Sequence, residues 1–229
     1  MDKSLQLHAL HETLHSCRLC ADQGYNIVPG AVMSGRADAK IMSIGQAPGV
    51  TEVVAKRPFN AGSGKRLFQW LGAAGFDEAD YRATQYMSSV TKCFPGKHKN
   101  GKGDRVPTRA EQKICRQFLL REIELVQPRL FIPIGGLAIK LFYPAKSKLR
   151  DIIGTGAYIA AGDWQNADPF DLSKAVYVRE PLLDDEGGRY IIPLPHPSGA
   201  SLWPNKPENK ALIQQSIQFL SQLREKWQL

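Results

Sequence analysis

The sequence predicts an α/β fold: a three-layer α/β/α sandwich around a central, mainly parallel, four-stranded sheet. Two observations carry this. Short apolar runs ending in glycine, Lys40-Ile41-Met42-Ser43-Ile44-Gly45 and Leu130-Phe131-Ile132-Pro133-Ile134-Gly135, read as buried strands. They alternate with stretches whose apolar residues recur at helical spacing, and that alternation places the strands in a parallel sheet covered on both faces. The chain has 229 residues and no linker, repeat or low-complexity tract, so it reads as one domain over 1–229.

Each element has its own signal. Leu5, Leu7, Leu10 and Leu14 predict a helix over 4–16 that delivers Cys17. The run 40–45 is the first strand. Leu67, Trp70, Leu71 and Ala74 share one face of a helix from Ser63 to Phe76, with Gly75 as its stop. Tyr86 to Val90 is the second strand. Thr108 caps a long helix, and Glu111 three residues on completes a capping box. Ile114, Phe118, Leu119, Ile123 and Val126 line that helix, and Pro128 ends it. The run 130–135 is the third strand and feeds a helix through Phe142. Tyr190-Ile191-Ile192-Pro193-Leu194 is the fourth. A helix over 207–226 closes the chain, with Ile213, Ile217, Leu220 and Leu223 inward.

Hydrophobic content of 43% and charged content of 23% are ordinary for a soluble enzyme. No apolar run approaches a membrane span, and Met1-Asp2-Lys3-Ser4 leads into an amphipathic segment, not a signal peptide. The expected setting is the reducing cytoplasm. There, four thiols mean metal more readily than disulfides. They stand as Cys17 and Cys20 in C-x-x-C, Cys93 in K-C-F-P and Cys115 in I-C-R. A tight pair plus two distant cysteines clamps an iron–sulfur cluster or a zinc ion between the N-terminus and the core.

The net charge of +8 suits a polyanionic partner. Lys92, Lys97, Lys99, Lys102, Arg105 and Arg109 crowd one stretch that also holds His98, glycines and Asn100, with Asp104 as its only acid. That stretch reads as an exposed loop, either a solvated one or one that contacts phosphates.

In a sheet of this kind ligands bind beyond the carboxyl ends of the strands, which singles out 45–60, 88–93 and 195–203. Gly45-Gln46-Ala47-Pro48-Gly49 is a rigid loop whose backbone N–H groups can face a ligand closely. In Arg57-Pro58-Phe59-Asn60, a Phe held by Pro can present its ring face to a planar ligand. His196, in His196-Pro197-Ser198, can hydrogen-bond an oxygen that becomes negative during reaction. Taken singly, the Phe reads better as a core residue and the His as a structural one.

Together these segments resemble the uracil-DNA glycosylase superfamily, and most closely its iron–sulfur branch, families 4 and 5. The branch pattern G-E-x-P-G, then Glu, then G-R-P-F, reads here as Gly45 to Gly49, Glu52 and Arg57-Pro58-Phe59. N-x-x-K-C-x-P appears as Ser89-Val90-Thr91-Lys92-Cys93-Phe94-Pro95, P-T-x-x-E-x-x-x-C as Pro107 to Cys115, and H-P-S as His196-Pro197-Ser198.

The resemblance implies a monomeric enzyme acting on DNA, away from membranes. It would flip uracil or another deaminated base out of the helix and hydrolyse its N-glycosidic bond in base excision repair. By the same resemblance, Phe59 would stack on the base, Gln46 and Ala47 would border its carbonyl edge and the attacking water, and His196 would stabilise charge on its O2. Ser89 would meet the base edge. Lys97, Lys99, Lys102 and Arg105 would hold phosphates, with Ser198 also at the DNA. Cys17, Cys20, Cys93 and Cys115 would hold a 4Fe–4S cluster, zinc being the alternative.

The chain departs from the family at several positions, Gln46 in place of the branch Glu among them. Ala47 stands where the best-known members carry an Asp that orients water, leaving Glu52 and Asn60 as the nearest polar groups. Ser89 replaces an Asn that pairs with uracil N3 and O4, which predicts broadened or altered base specificity. Ala200 occupies the usual place of a wedging Leu, so Leu202 or Trp203 would fill the gap left by the base. The same departures allow a second reading: an iron–sulfur DNA-binding protein that kept the fold and lost catalysis.

Overall fold

Uninterrupted runs of Ile, Leu, Phe and Met make stable strands where both faces are covered, and such runs form the centre of this structure. The computed structural model describes residues 2–60, 62–101, 103–165, 167–199 and 201–229. Helices α1 (Lys3–His15) and α2 (Leu19–Asp22) precede strand β1 (Ile41–Gly45). Helices α3 (Val50–Ala55), α4 (Gly62–Ala73) and α5 (Glu78–Thr84) lead to β2 (Tyr86–Ser89). Next come α6 (Arg109–Val126), β3 (Leu130–Pro133), α7 (Gly136–Phe142), α8 (Leu149–Ile152), β4 (Gly156–Ile159), α9 (Ala161–Trp164) and β5 (Val176–Val178). Strand β6 (Arg189–Ile191), a 3-10 turn (Trp203–Asn205) and α10 (Pro207–Trp227) complete the chain.

The sheet order is β2-β1-β3-β6-β4-β5. Strands β2, β1, β3 and β6 run parallel, whereas β4 pairs antiparallel with both β6 and β5. The four strands expected from the sequence are the four parallel ones. The sheet has six because β4 and β5 extend it at one edge, and neither has a readable apolar run. Strand β4 is four residues opening on glycine, and Val176 and Tyr177 of β5 are exposed.

Helices cover both faces. Helix α1 packs on α6, and α4 packs on α5 and α10. Tyr86 and Ser88 of β2 turn to the first group, where they meet His11 and Glu122. Ser43, whose register partner is Met87, faces the other way and bonds the Tyr81 hydroxyl of α5 at 2.7 Å. Ile41, Met42, Ile44, Phe131, Ile132 and Ile191 are inaccessible to solvent. Each such side chain contributes about 1.5–3 kcal/mol of burial. The predicted capping box is present in α6: Thr108 Oγ1 accepts from Glu111 N–H at 3.3 Å, and Glu111 Oε2 accepts from Thr108 N–H at 2.6 Å. No helix among the described residues is long and apolar enough to cross a membrane.

Candidate active site

The parallel strands point their carboxyl ends at one pocket. Gly45 closes β1, Ser89 closes β2 and Ile134 follows β3, and all three line it. Gln46, Ala47, Pro48, Glu52, Phe59 and His196 are also in the wall. Two backbone bonds tie the first two strand-end loops together: Val90 N–H to the Gly45 carbonyl at 3.0 Å, and Thr91 N–H to the Gln46 carbonyl at 3.3 Å.

His196 has a defined protonation state. Ser198 N–H donates to its Nδ1 at 3.2 Å, and Ser198 Oγ lies 2.9 Å from the same nitrogen. A backbone N–H requires a lone pair on Nδ1, so the neutral ring carries its proton on Nε2. Burial lowers the pKa of His196, because it disfavours the cation. A neutral imidazole with an Nε2–H donor results, and Ser198 directs both of its polar groups to that ring. Gly135 makes room for it: at φ +83, a Cβ would stand 2.8 Å from His196 Cδ2.

Phe59 is held under strain. Its backbone lies at φ +51, a left-handed conformation that costs a residue with a side chain about 1–2 kcal/mol. The ring lies against Gly45, where a Cβ would approach Cζ to 3.1 Å. Arg82 of α5 secures the turn from one side. It donates from Nη1 to the Pro58 carbonyl at 2.8 Å and from Nη2 to the Phe59 carbonyl at 2.9 Å, while its Nε meets Glu78 at 2.8 Å. Glu52 secures it from the other: its carboxylate accepts from Gly49 N–H at 2.6 Å and from the N–H groups of Phe59 and Asn60. Burial raises the pKa of Glu52, and those amides oppose the rise. The carboxylate singled out for the reacting water thus turns its oxygens to backbone amides. Asn60 is exposed and lines a separate cavity on the far side of Phe59, with Lys65, Gln69 and Arg82.

A buried polar cluster supports the end of β2. Lys92 Nζ lies 2.7 Å from Glu122 Oε2, with side-chain exposures of 1% and 0%. The same ammonium donates to Ser88 Oγ and to the Ser89 carbonyl, each at 2.6 Å. Lys92, counted in the sequence among the exposed basic residues, is therefore a core residue paired with α6. Sequence reasoning missed Arg82, Glu122 and this role of Lys92. Glu122 had a signal: it lies on the same helix face as Leu119 and Ile123, and a carboxylate there calls for a cation.

All four cysteines line a second pocket, among Leu14, Ile27, Ala31, Ile114 and Phe118. Burial and the neighbouring thiols push Cys20 up to about 11 and Cys93 to about 12, and burial also raises Cys115. Lys92 N–H points at Cys115 Sγ from 3.4 Å. Among the described residues, no three His, Cys, Asp or Glu side chains converge at the spacing of a single metal ion. One tetrahedral ion with bonds of about 2.3 Å needs its sulfurs nearly touching. An all-sulfur donor set spread around one apolar pocket fits a larger cluster better.

The basic loop lies beside the pocket mouth, since a Cβ on Gly49 would stand 3.2 Å from Asp104 Oδ2. Lys97 and Lys99 are exposed, Lys97 pairing with Asp104 at 2.7 Å. Arg105 turns inward, forking onto Glu111 at 2.5 and 2.7 Å and reaching the Asn26 carbonyl at 2.9 Å. It anchors the loop to the start of α6 and is not presented to solvent as a free cation. Lys102 and Ala200 lie outside the described residues. Leu202 is 74% exposed, whereas Trp203 packs on the core.

Comparison with known proteins places this site in a family. A model described as the uracil DNA glycosylase superfamily matches residues 32–221. The type-4 uracil-DNA glycosylase of Pyrobaculum aerophilum is 29% identical over 152 residues, which is 66% of this chain and 71% of that protein. The type-4 uracil-DNA glycosylase of Thermotoga maritima is 29% identical over 173 residues, 76% of this chain and 70% of that protein. That of Archaeoglobus fulgidus is 30% identical over 130 residues, 56% of this chain and 59% of that protein.

Proposed function

This chain belongs to the uracil DNA glycosylase superfamily, and from that premise we propose that it is a DNA N-glycosylase of the iron–sulfur branch. As one domain over 1–229, acting as a monomer in the cytoplasm, it removes uracil or another deaminated base from DNA. The observation that carries the proposal is that Phe59, the Gln46–Ala47 loop and His196 line one pocket, with His196 Nδ1 taken by Ser198 N–H so that Nε2–H is the ring's donor.

A base flipped from the duplex stacks on Phe59. As the N-glycosidic bond breaks, negative charge grows on the base O2, and His196 Nε2–H donates to it. A preorganised donor of this kind contributes about 2.7–4 kcal/mol to the transition state. The loop at Gln46 and Ala47 borders the attacking water. Ala47 supplies no carboxylate and Glu52 is occupied by amides, so departure of the base outweighs activation of water. Lys97 and Lys99 meet phosphates, Lys102 belongs to the same loop, and Leu202 is the apolar group placed to fill the vacated stack. Cys17, Cys20, Cys93 and Cys115 would hold a 4Fe–4S cluster. When bound, it ties the N-terminal helix to the basic loop and α6, and contributes structure.

One observation favours a second reading: among the described residues the carboxylate that lines the pocket, Glu52, is held by backbone amides. A DNA-binding protein without catalysis would have the same cluster and basic loop. Duplexes carrying uracil, hypoxanthine or xanthine separate the two. The glycosylase leaves alkali-labile abasic sites in more than one of them, while strict uracil preference counts against broadened specificity. Binding without release from any lesion supports the second reading.

A further inference from the structure

Ser89 ends β2 on the pocket floor and is 5% exposed. Its hydroxyl proton is committed, since Oγ donates to the Thr91 carbonyl at 2.7 Å and a carbonyl can only accept. The next hydroxyl is committed as well. Ser88 Oγ donates to Glu122 Oε2 at 2.8 Å while accepting from Lys92 Nζ at 2.6 Å. Lys92 also grips the Ser89 carbonyl at 2.6 Å, and its buried pairing with Glu122 at 2.7 Å keeps the cluster in place. Turning the Ser89 proton toward a ligand would strip the buried Thr91 carbonyl of its partner, which disfavours that state roughly 5- to 150-fold. The Ser89 hydroxyl, on a residue that lines the pocket, is therefore set as an acceptor toward a ligand.

Resting on the base-excision reading above, we propose that Ser89 selects bases by a ring N–H, accepting a hydrogen bond from the lactam N–H that deamination creates. Cytosine N3 and adenine N1 are lone-pair acceptors. Deamination turns the same ring positions into N–H donors, in uracil and in hypoxanthine. An acceptor that becomes a donor only at that cost favours both products over both parents. An Asn amide would add a donor and read the adjacent carbonyl too, whereas Ser89 applies one test that pyrimidine and purine lactams both pass. Ser89 is thus the specificity-determining residue, and Lys92 and Glu122 are positioning residues that fix the strand end carrying it.

The test uses duplexes whose lesion nucleotide carries a 2′-fluorine, which suppresses cleavage so that equilibrium binding is read alone. Uracil, hypoxanthine and N3-methyluracil duplexes are compared; the last lacks the N–H and, being unable to pair, flips most readily. The wild-type protein is expected to bind uracil and hypoxanthine duplexes within about threefold of each other and N3-methyluracil about tenfold more weakly, the size of one hydrogen bond. Ser89→Ala, folded by circular dichroism, should lose affinity for uracil and bring the methylated base within about threefold. Equal binding of N3-methyluracil by the wild type overturns the proposal, as does an undiminished preference in Ser89→Ala. Base release from the unfluorinated uracil duplex is measured alongside. Release without the binding preference removes the Ser89 proposal alone, and the preference without release removes the glycosylase reading alone.

Discussion

Arg82 contributes nothing to the pocket wall, yet it holds the backbone of the residue whose ring lines it. Arg82→Ala should therefore weaken substrate binding through Phe59. Phe59 is strained at φ +51, by about 1–2 kcal/mol. The charged hydrogen bonds at 2.8 and 2.9 Å that oppose relaxation contribute about 1.5–3 kcal/mol each. Without them the turn relaxes and the ring leaves its place over Gly45. Stacking of a base on an aromatic ring contributes about 1–3 kcal/mol, so Kd for a uracil-containing duplex should rise about 5- to 150-fold. Single-turnover excision at varied enzyme concentration separates Kd from the cleavage rate. Phe59→Ala should raise Kd by the same factor, and the Arg82→Ala/Phe59→Ala double variant by no more, because one residue acts through the other. Arg82→Lys, a point charge in place of a fork, should recover only part. Additive losses in the double variant would refute this reasoning.

Lys92→Met strands the Glu122 carboxylate in the core and should cost about 3–5 kcal/mol by urea denaturation, and Lys92→Met/Glu122→Leu should recover most of it. Gly135→Ala drives a Cβ to 2.8 Å from His196 Cδ2; it should slow uracil release about 100-fold with duplex affinity unchanged in a gel-shift titration. His11 is half-buried, bonded to the Tyr86 hydroxyl at 2.7 Å and set near His15, His8, Lys92 and Glu12. Burial first, then its cationic neighbours, lower its pKa to about 4. The unfolded chain binds the proton more tightly, so stability is complete above about pH 6.5 and declines as pH falls toward 4. Allowing for the ring's partial exposure, the loss is about 2 kcal/mol. Urea midpoints at pH 7.5 and 5 should differ less in His11→Gln than in the wild type.

The parallel strands were legible because burial on both faces removes polar alternation, leaving runs such as Leu130-Phe131-Ile132. Strands β4 and β5 were not: Val176 and Tyr177 form an exposed edge, held by pairing to β4 and not by burial. Loop motifs located Phe59, Ser89 and His196 because strand ends collect ligands, wherever the strands come from. What they touch was illegible. Lys92 and Arg105 read as surface cations, and only the fold brings Glu122 and Glu111 to them. Arg82 gave no signal in the sequence, since its partners are carbonyls 23 and 24 residues away. The outward readings of Lys97 and Lys99 needed only a loop rich in glycine and polar residues.

The most direct measurement of the central claim is abasic-site formation on a duplex with a single uracil, comparing the wild type with His196→Ala under single-turnover conditions. Release by the wild type and a rate about 10²–10³ lower in His196→Ala, with duplex binding retained, is the predicted result. No release by the wild type, or the same rate in both proteins, would contradict the role of His196 as the donor to the departing base.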